Sequence, residues 1–239
     1  MSTKIADFSV DLTELLEAGV HFGHQSRRWN PKMEPFIWQA RDGVHIFDLL
    51  ITRQKLKEAC EAAKDLVKKG GTIVFVGSKK QAQDIIKEQA EKAGMPYVNT
   101  RWAGGLLTNF KQIKKSIDKM KDLQKKVSDE DFKKKYTKKE IILLEREIAR
   151  LDRLFGGIAD LEEVPEGLFV VDINSEKTAV REANRKGMTV FAICDSNADP
   201  DLVTYPIPGN DDAVGSIRML VGKFGEAVKE GVALRGKTK

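Results

Sequence analysis

The chain has 239 residues, 41% of them hydrophobic and 32% charged, with 41 basic against 36 acidic residues and a net charge of +5. That length suits one large domain or one and a half, with enough apolar content for a proper core. No run of about 18 apolar residues is present to cross a membrane. Cys60 and Cys194 form neither a CxxC nor a zinc-ligand spacing, so a disulfide framework and a zinc finger are also excluded. Met1 to Val10 lacks an apolar signal core, which points to a reducing, intracellular compartment.

Asp11 to Ala18 predicts a short helix with Leu12, Leu15 and Leu16 on one face, ended by Gly19. His21 to Met33 reads as a loop, broken by Gly23, Asn30 and Pro31. It concentrates His21, His24, Arg27, Arg28, Trp29 and Lys32. Guanidinium and ammonium groups contact phosphates, and an indole can stack on a base or be core. The HxxH spacing alone does not make a metal site, because no third ligand is adjacent. Gly43 to Asp48 predicts a strand in which His45 is packed or hydrogen-bonded. Arg53 to Lys69 predicts a helix, stopped by Gly70 and Gly71.

Thr72 to Val76 is continuously apolar and β-branched, as in a parallel strand covered on both faces. Gly77, Ser78, Lys79, Lys80 and Gln81 then open a helix reaching Ala93. A strand, a glycine turn and a helix start can hold phosphate on free backbone N–H groups. Neither GxxxxGK[ST] nor GxGxxG is present, so the turn is a weak nucleotide cradle, a contact for RNA phosphate, or a plain connection. Tyr97 to Asn99 predicts a short strand. Arg101 and Trp102 repeat the earlier arginine–tryptophan chemistry, Gly104 and Gly105 permit close backbone approach, and Thr108 or Asn109 would cap the next helix.

Phe110 to Phe155 interrupts this α/β pattern. Phe110, Ile113, Ile117, Met120 and Val127, with Gln124 as a polar break, and then Ile141, Leu144, Ile148, Leu151 and Phe155 fall at coiled-coil steps of three and four. Polar Ser128 to Lys139 reverses the chain, and Thr137 with Glu140 predicts a capping box. The expected form is an antiparallel helical hairpin with arms of roughly 25 Å. From Lys111 to Lys139 there are twelve lysines against five acids, leaving 29 basic and 31 acidic residues elsewhere. The basic excess therefore lies in this insert, which suits a polyanion such as nucleic acid, with a solvated face as the bland alternative.

Gly167 to Ile173, Ser175 to Lys186 and Met188 to Cys194 read as strand, helix and strand, which calls for a parallel sheet with right-handed crossovers. Asp195, Asp199, Asp201, Asp211 and Asp212 follow in two loops at the sheet edge where ligands bind. They can hold a hard cation or cap turns and the helix Ala213 to Lys229, with Asn210 or Asp211 as its N-cap. Neither GxSxG nor HExxH is present. The fold expected is α/β, a flavodoxin- or Rossmann-like parallel-sheet body (1–109 and 156–230) with an inserted coiled-coil hairpin (110–155) and a basic tail (231–239).

Val20 to Met33 (VHFGHQSRRWNPKM), Arg101 to Phe110 (RWAGGLLTNF), Asp195 to Asp201 (DSNADPD) and Ile207 to Ala213 (IPGNDDA) together resemble the bacterial-type second protein of the small ribosomal subunit. Their order and spacing, and a helical hairpin opening directly after TNF, match that family over nearly the whole chain. The resemblance implies a cytoplasmic, non-enzymatic ribosomal protein, one copy per ribosome. It would bind small-subunit ribosomal RNA, touch neighbouring ribosomal proteins and help hold the large messenger-binding protein. Candidate RNA contacts are Arg27, Arg28, Trp29, Lys32, Lys79, Lys80, Arg101, Trp102, Asn109, Lys111, Lys114 and Lys115. No cofactor is required, but the family implies a divalent cation, magnesium or zinc, near Asp195, Asp211 and Asp212 with His24 beside them. The rival reading is an enzyme binding a nucleotide or sugar phosphate through Gly77 to Gln81 and the Asp195 loop.

Overall fold

The structure is a computed structural model and describes residues 10–133 and 135–235. The chain opens with α1 (Leu12–Glu17), capped by the Asp11 carboxylate, which accepts from Thr13 N at 3.2 Å. Then β1 (Phe22–Gln25), β2 (Ile37–Arg41) and β3 (Val44–Phe47) form a small antiparallel sheet in the order β1-β3-β2. The loop expected over His21 to Met33 is thus corrected: it contains a strand and 3-10 turns. Gly23 lies close to Ser196 and to the His45 carbonyl, where a Cβ would come within 2.9 Å of the Ser196 hydroxyl. Glycine there lets β1 lie against the main body.

The body alternates as expected. α2 (Leu49–Lys68) starts at Asp48, whose carboxylate accepts from Leu50 N at 2.8 Å. β4 (Ile73–Val76), α3 (Gln83–Ala93) and β5 (Tyr97–Val98) follow. Then come α4 (Phe110–Ser128), α5 (Glu130–Lys133) and α6 (Lys138–Phe155). The chain returns through β6 (Gly167–Val171), α7 (Lys177–Arg185), β7 (Thr189–Cys194), β8 (Tyr205–Pro208) and α8 (Val214–Ala233). Five strands make one wholly parallel sheet in the order β5-β4-β6-β7-β8. Counted within that sheet the order is 2-1-3-4-5, the flavodoxin-like winding, whose switch point lies between β4 and β6.

Strand alternation divides the core between the two faces. Ile73, Phe75, Phe169, Val171, Phe191 and Ile193 point to one side, where α2, α3 and α8 cover them. Phe224 of α8 sits at its centre, 4.1 Å from the Phe169 ring, 5.1 Å from Phe191 and 5.8 Å from Phe75. Val74, Val76, Leu168, Val170, Val190 and Ala192 point to the other side. There they meet α7, Met33 and Phe47 of the small sheet region, and the buried ends of α4 and α6. Burying each large apolar side chain contributes about 1.5–3 kcal/mol.

Ile113, Ile117 and Met120 of α4 and Leu151 and Phe155 of α6 are buried, whereas Ile141, Leu144 and Ile148 are only partly covered. Lys119 pairs with Glu147 at 3.3 Å between the two helices. The capping box at Thr137 and Glu140 is present as the spacing predicts: Thr137 N donates to Glu140 Oε2 at 2.8 Å and Glu140 N to Thr137 Oγ1 at 3.4 Å. α8 continues to Ala233, past the glycine expected to open the tail. Arg235 then donates to the carbonyls of Val67 (2.9 Å), Gly70 (3.0 Å) and Gly71 at the end of α2. The remainder of the expected tail lies outside the described residues.

β8 was expected as loop. Its two prolines cannot donate to a ladder, but they are tolerated because β8 is the sheet's edge strand.

Candidate functional site

Two places gather the polar residues that the sequence singles out. The first is the carboxyl edge of the sheet, at the switch point between β4 and β6. There an open α/β sheet holds ligands. The turn after β4 carries Lys79, and its ammonium lies 2.6 Å from Asp211 Oδ1, 2.7 Å from Asp212 Oδ1 and 2.9 Å from Asp172 Oδ2. Asp172, at the end of β6, holds φ +67°, in the left-handed region that aspartate tolerates better than most residues. Its carboxylate closes a turn by accepting from Asn174 N at 2.8 Å and Ser175 N at 3.1 Å.

Burial draws the Lys79 ammonium down, but the three carboxylates outweigh it and hold its pKa above the ordinary lysine value. Asp211 moves the other way from a normal carboxyl: burial first, then the charges of Asp195 and Asp172, push it up to about 7 despite Lys79. The two directions fit one picture, an ammonium shared among more carboxylates than it can neutralise. Next to it, Ser78 N donates to Glu176 Oε1 at 2.9 Å, so the turn's free N–H is satisfied by the chain's own anion. The plain-connection reading of Gly77 to Gln81 fits this geometry; a phosphate cradle does not. A phosphate would have to enter among Asp172, Glu176, Asp195, Asp211 and Asp212.

His24, on β1, reaches the same edge from a distant part of the sequence. Its Nδ1 lies 2.9 Å from Asp195 Oδ1 and its Nε2 3.5 Å from Asp212 Oδ2. The hydrogen bond to Asp195 is the main reason its pKa is raised; partial burial opposes, and the charges of Asp195, Asp211 and Asp212 add to the rise. Donor atoms of His24, Asp195 and Asp211 all lie within 4.8 Å of one another. One imidazole with two or three carboxylate oxygens is a donor set suited to zinc, and its oxygens alone to magnesium. The surplus of carboxylates over cations around Asp211 is compatible with such an ion, with Lys79 as the competing cation. The expected capping of the last helix by Asn210 or Asp211 is corrected: the cap position of α8 is Ala213, with no side-chain cap bond, and Asp211 is buried in this cluster. Asn210 closes the turn instead, accepting from Asp212 N at 2.8 Å and Ala213 N at 3.0 Å.

The second place is the segment from Arg101 into α4. Arg101, Asn109, Lys111, Lys114 and Lys115 are exposed there. Trp102 is buried and donates its indole N–H to Glu182 Oε1 at 3.2 Å, so of its two expected roles the packed one matches its position. The expectation that Thr108 or Asn109 caps α4 is corrected. Asn109 makes no side-chain cap bond, and the Thr108 hydroxyl donates to Glu182 Oε2 at 3.0 Å. Sequence reasoning passed over Glu182. The available signal was a carboxylate on the stripe of α7 that also carries Ala179, Val180 and Ala183, a position reserved for apolar groups.

Arg27, Arg28 and Lys80 are exposed, and so is Lys32, which pairs with Asp199 and Asp201 at 2.8 Å each. Trp29 is half-buried, one face stacked on His45 with centroids 4.9 Å apart and planes at 27°. His45 is buried as expected, and neither of its ring nitrogens has a hydrogen-bond partner among the described residues. Lys79 is turned into the carboxylate cluster. The structure therefore separates the expected cations into a surface set and one internal ammonium.

Against known proteins, residues 15–231 match the family model described as Ribosomal protein S2. A relative from Fusobacterium nucleatum, named small ribosomal subunit protein uS2, is 49% identical over 222 residues, covering 93% of this chain and 90% of the relative. A protein of the same name from Corynebacterium urealyticum is 52% identical over 228 residues, covering 95% and 85%. Another from Corynebacterium diphtheriae is 50% identical over 226 residues. A match at this identity over more than nine-tenths of the chain sets the enzyme reading aside: the chain belongs to the ribosomal protein S2 family, whose members are ribosomal proteins and not enzymes.

Proposed function

We propose that the chain is a structural constituent of the small subunit of the cytoplasmic ribosome, one copy per particle, and that it binds the ribosomal RNA of that subunit. The observation that carries this is the placement of charge. Twelve lysines against five acids fall between Lys111 and Lys139, on and after α4. Lys111, Lys114 and Lys115 are exposed at its start beside Arg101 and Asn109. Arg27, Arg28, Lys32 and Lys80 are exposed elsewhere on the body, Lys32 paired with Asp199 and Asp201, with Trp29 between the arginines and Lys32 in sequence. Such groups contact phosphate and sugar, and so fix position without reading sequence. Lys79 and Trp102 belong to this reading as supports behind the surface.

In this reading α4 and α6 form a coiled-coil hairpin, 110–155, inserted in an α/β body made of 1–109 and 156–230. The half-covered seam residues Ile141, Leu144 and Ile148 and the Lys119–Glu147 pair support it. The body also offers a surface for neighbouring ribosomal proteins, among them the large messenger-binding one. Leu16, Phe22, Trp38 and Leu50 are exposed around a largely apolar groove of 490 Å³, with Trp38 66% exposed. This exposed apolar surface supports that reading. A divalent cation, zinc or magnesium, would be held by His24, Asp195 and Asp211 with Asp212 at the rim. Bound there, it would tie β1 to the two aspartate loops.

The test is a sedimentation profile of gently lysed cells probed for this chain at low and high salt. Co-migration with small subunits at low salt and release as salt rises is expected. A chain confined to the soluble fractions at both salts overturns the proposal.

A further inference from the structure

Building on the RNA-binding reading, we propose that Glu182 is a positioning residue: it fixes the segment Trp102–Thr108, and through it the cations of Arg101 and α4, in the arrangement that meets RNA. Glu182 lies on α7, 6% exposed, in the half of the body that follows α6. Its two carboxylate oxygens take five donors from one short stretch of chain. Oε1 accepts the Trp102 indole at 3.2 Å and Gly105 N at 2.7 Å. Oε2 accepts Leu107 N at 3.0 Å, Thr108 N at 3.1 Å and the Thr108 hydroxyl at 3.0 Å.

Among the described residues no lysine or arginine pairs with Glu182, so peptide and side-chain dipoles alone offset its charge. Burial alone would raise its pKa, and these donors more than reverse that, leaving the group ionised. The arrangement is an anion held in a concave nest of backbone N–H groups. Gly105, at φ +88°, supplies a turn that side-chain-bearing residues rarely adopt.

α4 begins two residues after Thr108. The phase of a helix is set where it starts, so the anchored nest decides which way Lys111, Lys114 and Lys115 face. Two further ties hold the same root: Thr100 Oγ1 donates to the Arg153 carbonyl at 2.7 Å and Lys114 Nζ to the Glu162 carbonyl at 3.3 Å. Neither fixes the loop between them. Leu106 and Leu107 pack into the core there, and among the described residues Glu182 is the side chain that hydrogen-bonds the backbone at Gly105 and Leu107.

The sign of the effect separates positioning from simple electrostatics. Glu182 is a negative charge near a surface meant for a polyanion, so removing it should on charge alone tighten RNA binding. Positioning predicts the reverse. Glu182→Gln keeps the shape but loses the charge, and one oxygen cannot take the place of two. The full chain, with its fold checked by circular dichroism and thermal melting, would be bound to small ribosomal subunits depleted of this family's protein, across a salt series below the melting temperature. The expected result is at least tenfold weaker binding and a shallower salt dependence, despite the lost negative charge. Glu226→Gln, an exposed acid on α8, which covers the opposite face of the sheet from α7, serves as the charge control and should bind as well as the unaltered chain or better.

Should Glu182→Gln fail to fold, Thr108→Val decides, since it removes one hydroxyl donor and leaves the charge; two- to fourfold weaker binding is expected. Folded Glu182→Gln protein that binds as tightly as the unaltered chain, or an unchanged Thr108→Val where that variant decides, overturns the positioning role while leaving the RNA reading intact. An unaltered chain without salt-dependent binding overturns both.

Discussion

The backbone N–H of Ser78 donates to Glu176 Oε1 at 2.9 Å, so the first anion to occupy the turn after β4 is part of the protein. Sheets of this winding present that turn to ligands, and enzymes fill it with phosphate. Here the carboxylate is buried, and burial, helped by the nearby charge of Asp172, keeps its pKa above the ordinary 4.5 in spite of the Ser78 bond. A carboxyl whose folded-state pKa is raised prefers the proton when folded. Its ionised form therefore weakens the fold above that pKa, and the effect vanishes below the unfolded value.

Glu176→Gln keeps an acceptor for Ser78 and removes the charge. It should leave the protein as stable as the original, or slightly more stable, at pH 7, with the difference disappearing as pH falls through 4.5. Glu176→Ala leaves a buried N–H without a partner and should cost about 1–3 kcal/mol. Urea unfolding at pH 7 and pH 4 checks both. Loss of stability in the Gln variant equal to that in the Ala variant would mean that the charge itself holds the turn.

Lys79 is the reverse case. Its raised pKa means that its stabilising contribution is complete below the unfolded value of 10.5 and fades only as pH rises through the still higher folded value. Replacing it with glutamine leaves Asp172, Asp211 and Asp212 facing one another and should cost about 3–5 kcal/mol at pH 8. Asp211 already titrates near 7 with Lys79 present, so in the variant it takes a proton readily and the deficit should shrink toward pH 5. Denaturant midpoints of Lys79→Gln and the unaltered chain at pH 5 and pH 8 measure this. A deficit that stays constant between them would show that the three carboxylates are not what Lys79 neutralises.

How much of this could be read without coordinates depends on distance along the chain. β4, α3, β6, α7, β7 and α8 each carry their pattern locally, in runs such as Ile73–Val76 or Gly167–Val171, and the expected elements fall within a few residues of them. The capping box at Thr137 is equally local. β1 and β2 are short, largely exposed and polar, so no apolar alternation marks them, and Pro206 and Pro208 disguise β8. The sites are harder. His24 meets Asp195 across 171 positions, and Glu182 meets Thr108 across 74. No spacing rule spans such gaps. Lys79 was legible as a cation after a strand, yet nothing near it in sequence discloses the three aspartates that turn it inward.

The aspartate loops make a separate prediction about metal. Zinc bound by His24, Asp195 and Asp211 would stabilise the folded chain in proportion to its occupancy, about 2.7 kcal/mol at a hundred times the dissociation constant. Melting temperature should rise with added zinc, and more at pH 7.5 than at pH 5.5, because His24 and Asp211 must both give up protons to bind. His24→Ala should remove most of the rise. A zinc response that survives this change would place the ion elsewhere.

The lysines at the start of α4 give the most direct test of the RNA reading. Lys111 and Lys115 make no ion pair among the described residues, and Lys114 donates only to the Glu162 carbonyl. Their charges are therefore available to phosphate. Each lost phosphate contact lowers the slope of log affinity against log salt by roughly one. Changing Lys114 and Lys115 together to alanine should flatten that slope by about two and weaken binding to depleted small subunits most at low salt. Lys125 and Lys126 lie nearer the far end of the same helix, and Lys126 is already paired with Asp122 at 2.7 Å. Changing that pair to alanine should have the smaller effect. If the two double variants lose affinity equally, RNA runs along the whole of α4; if only the Lys125 and Lys126 variant does, the contact lies toward the tip and the root cations serve some other surface.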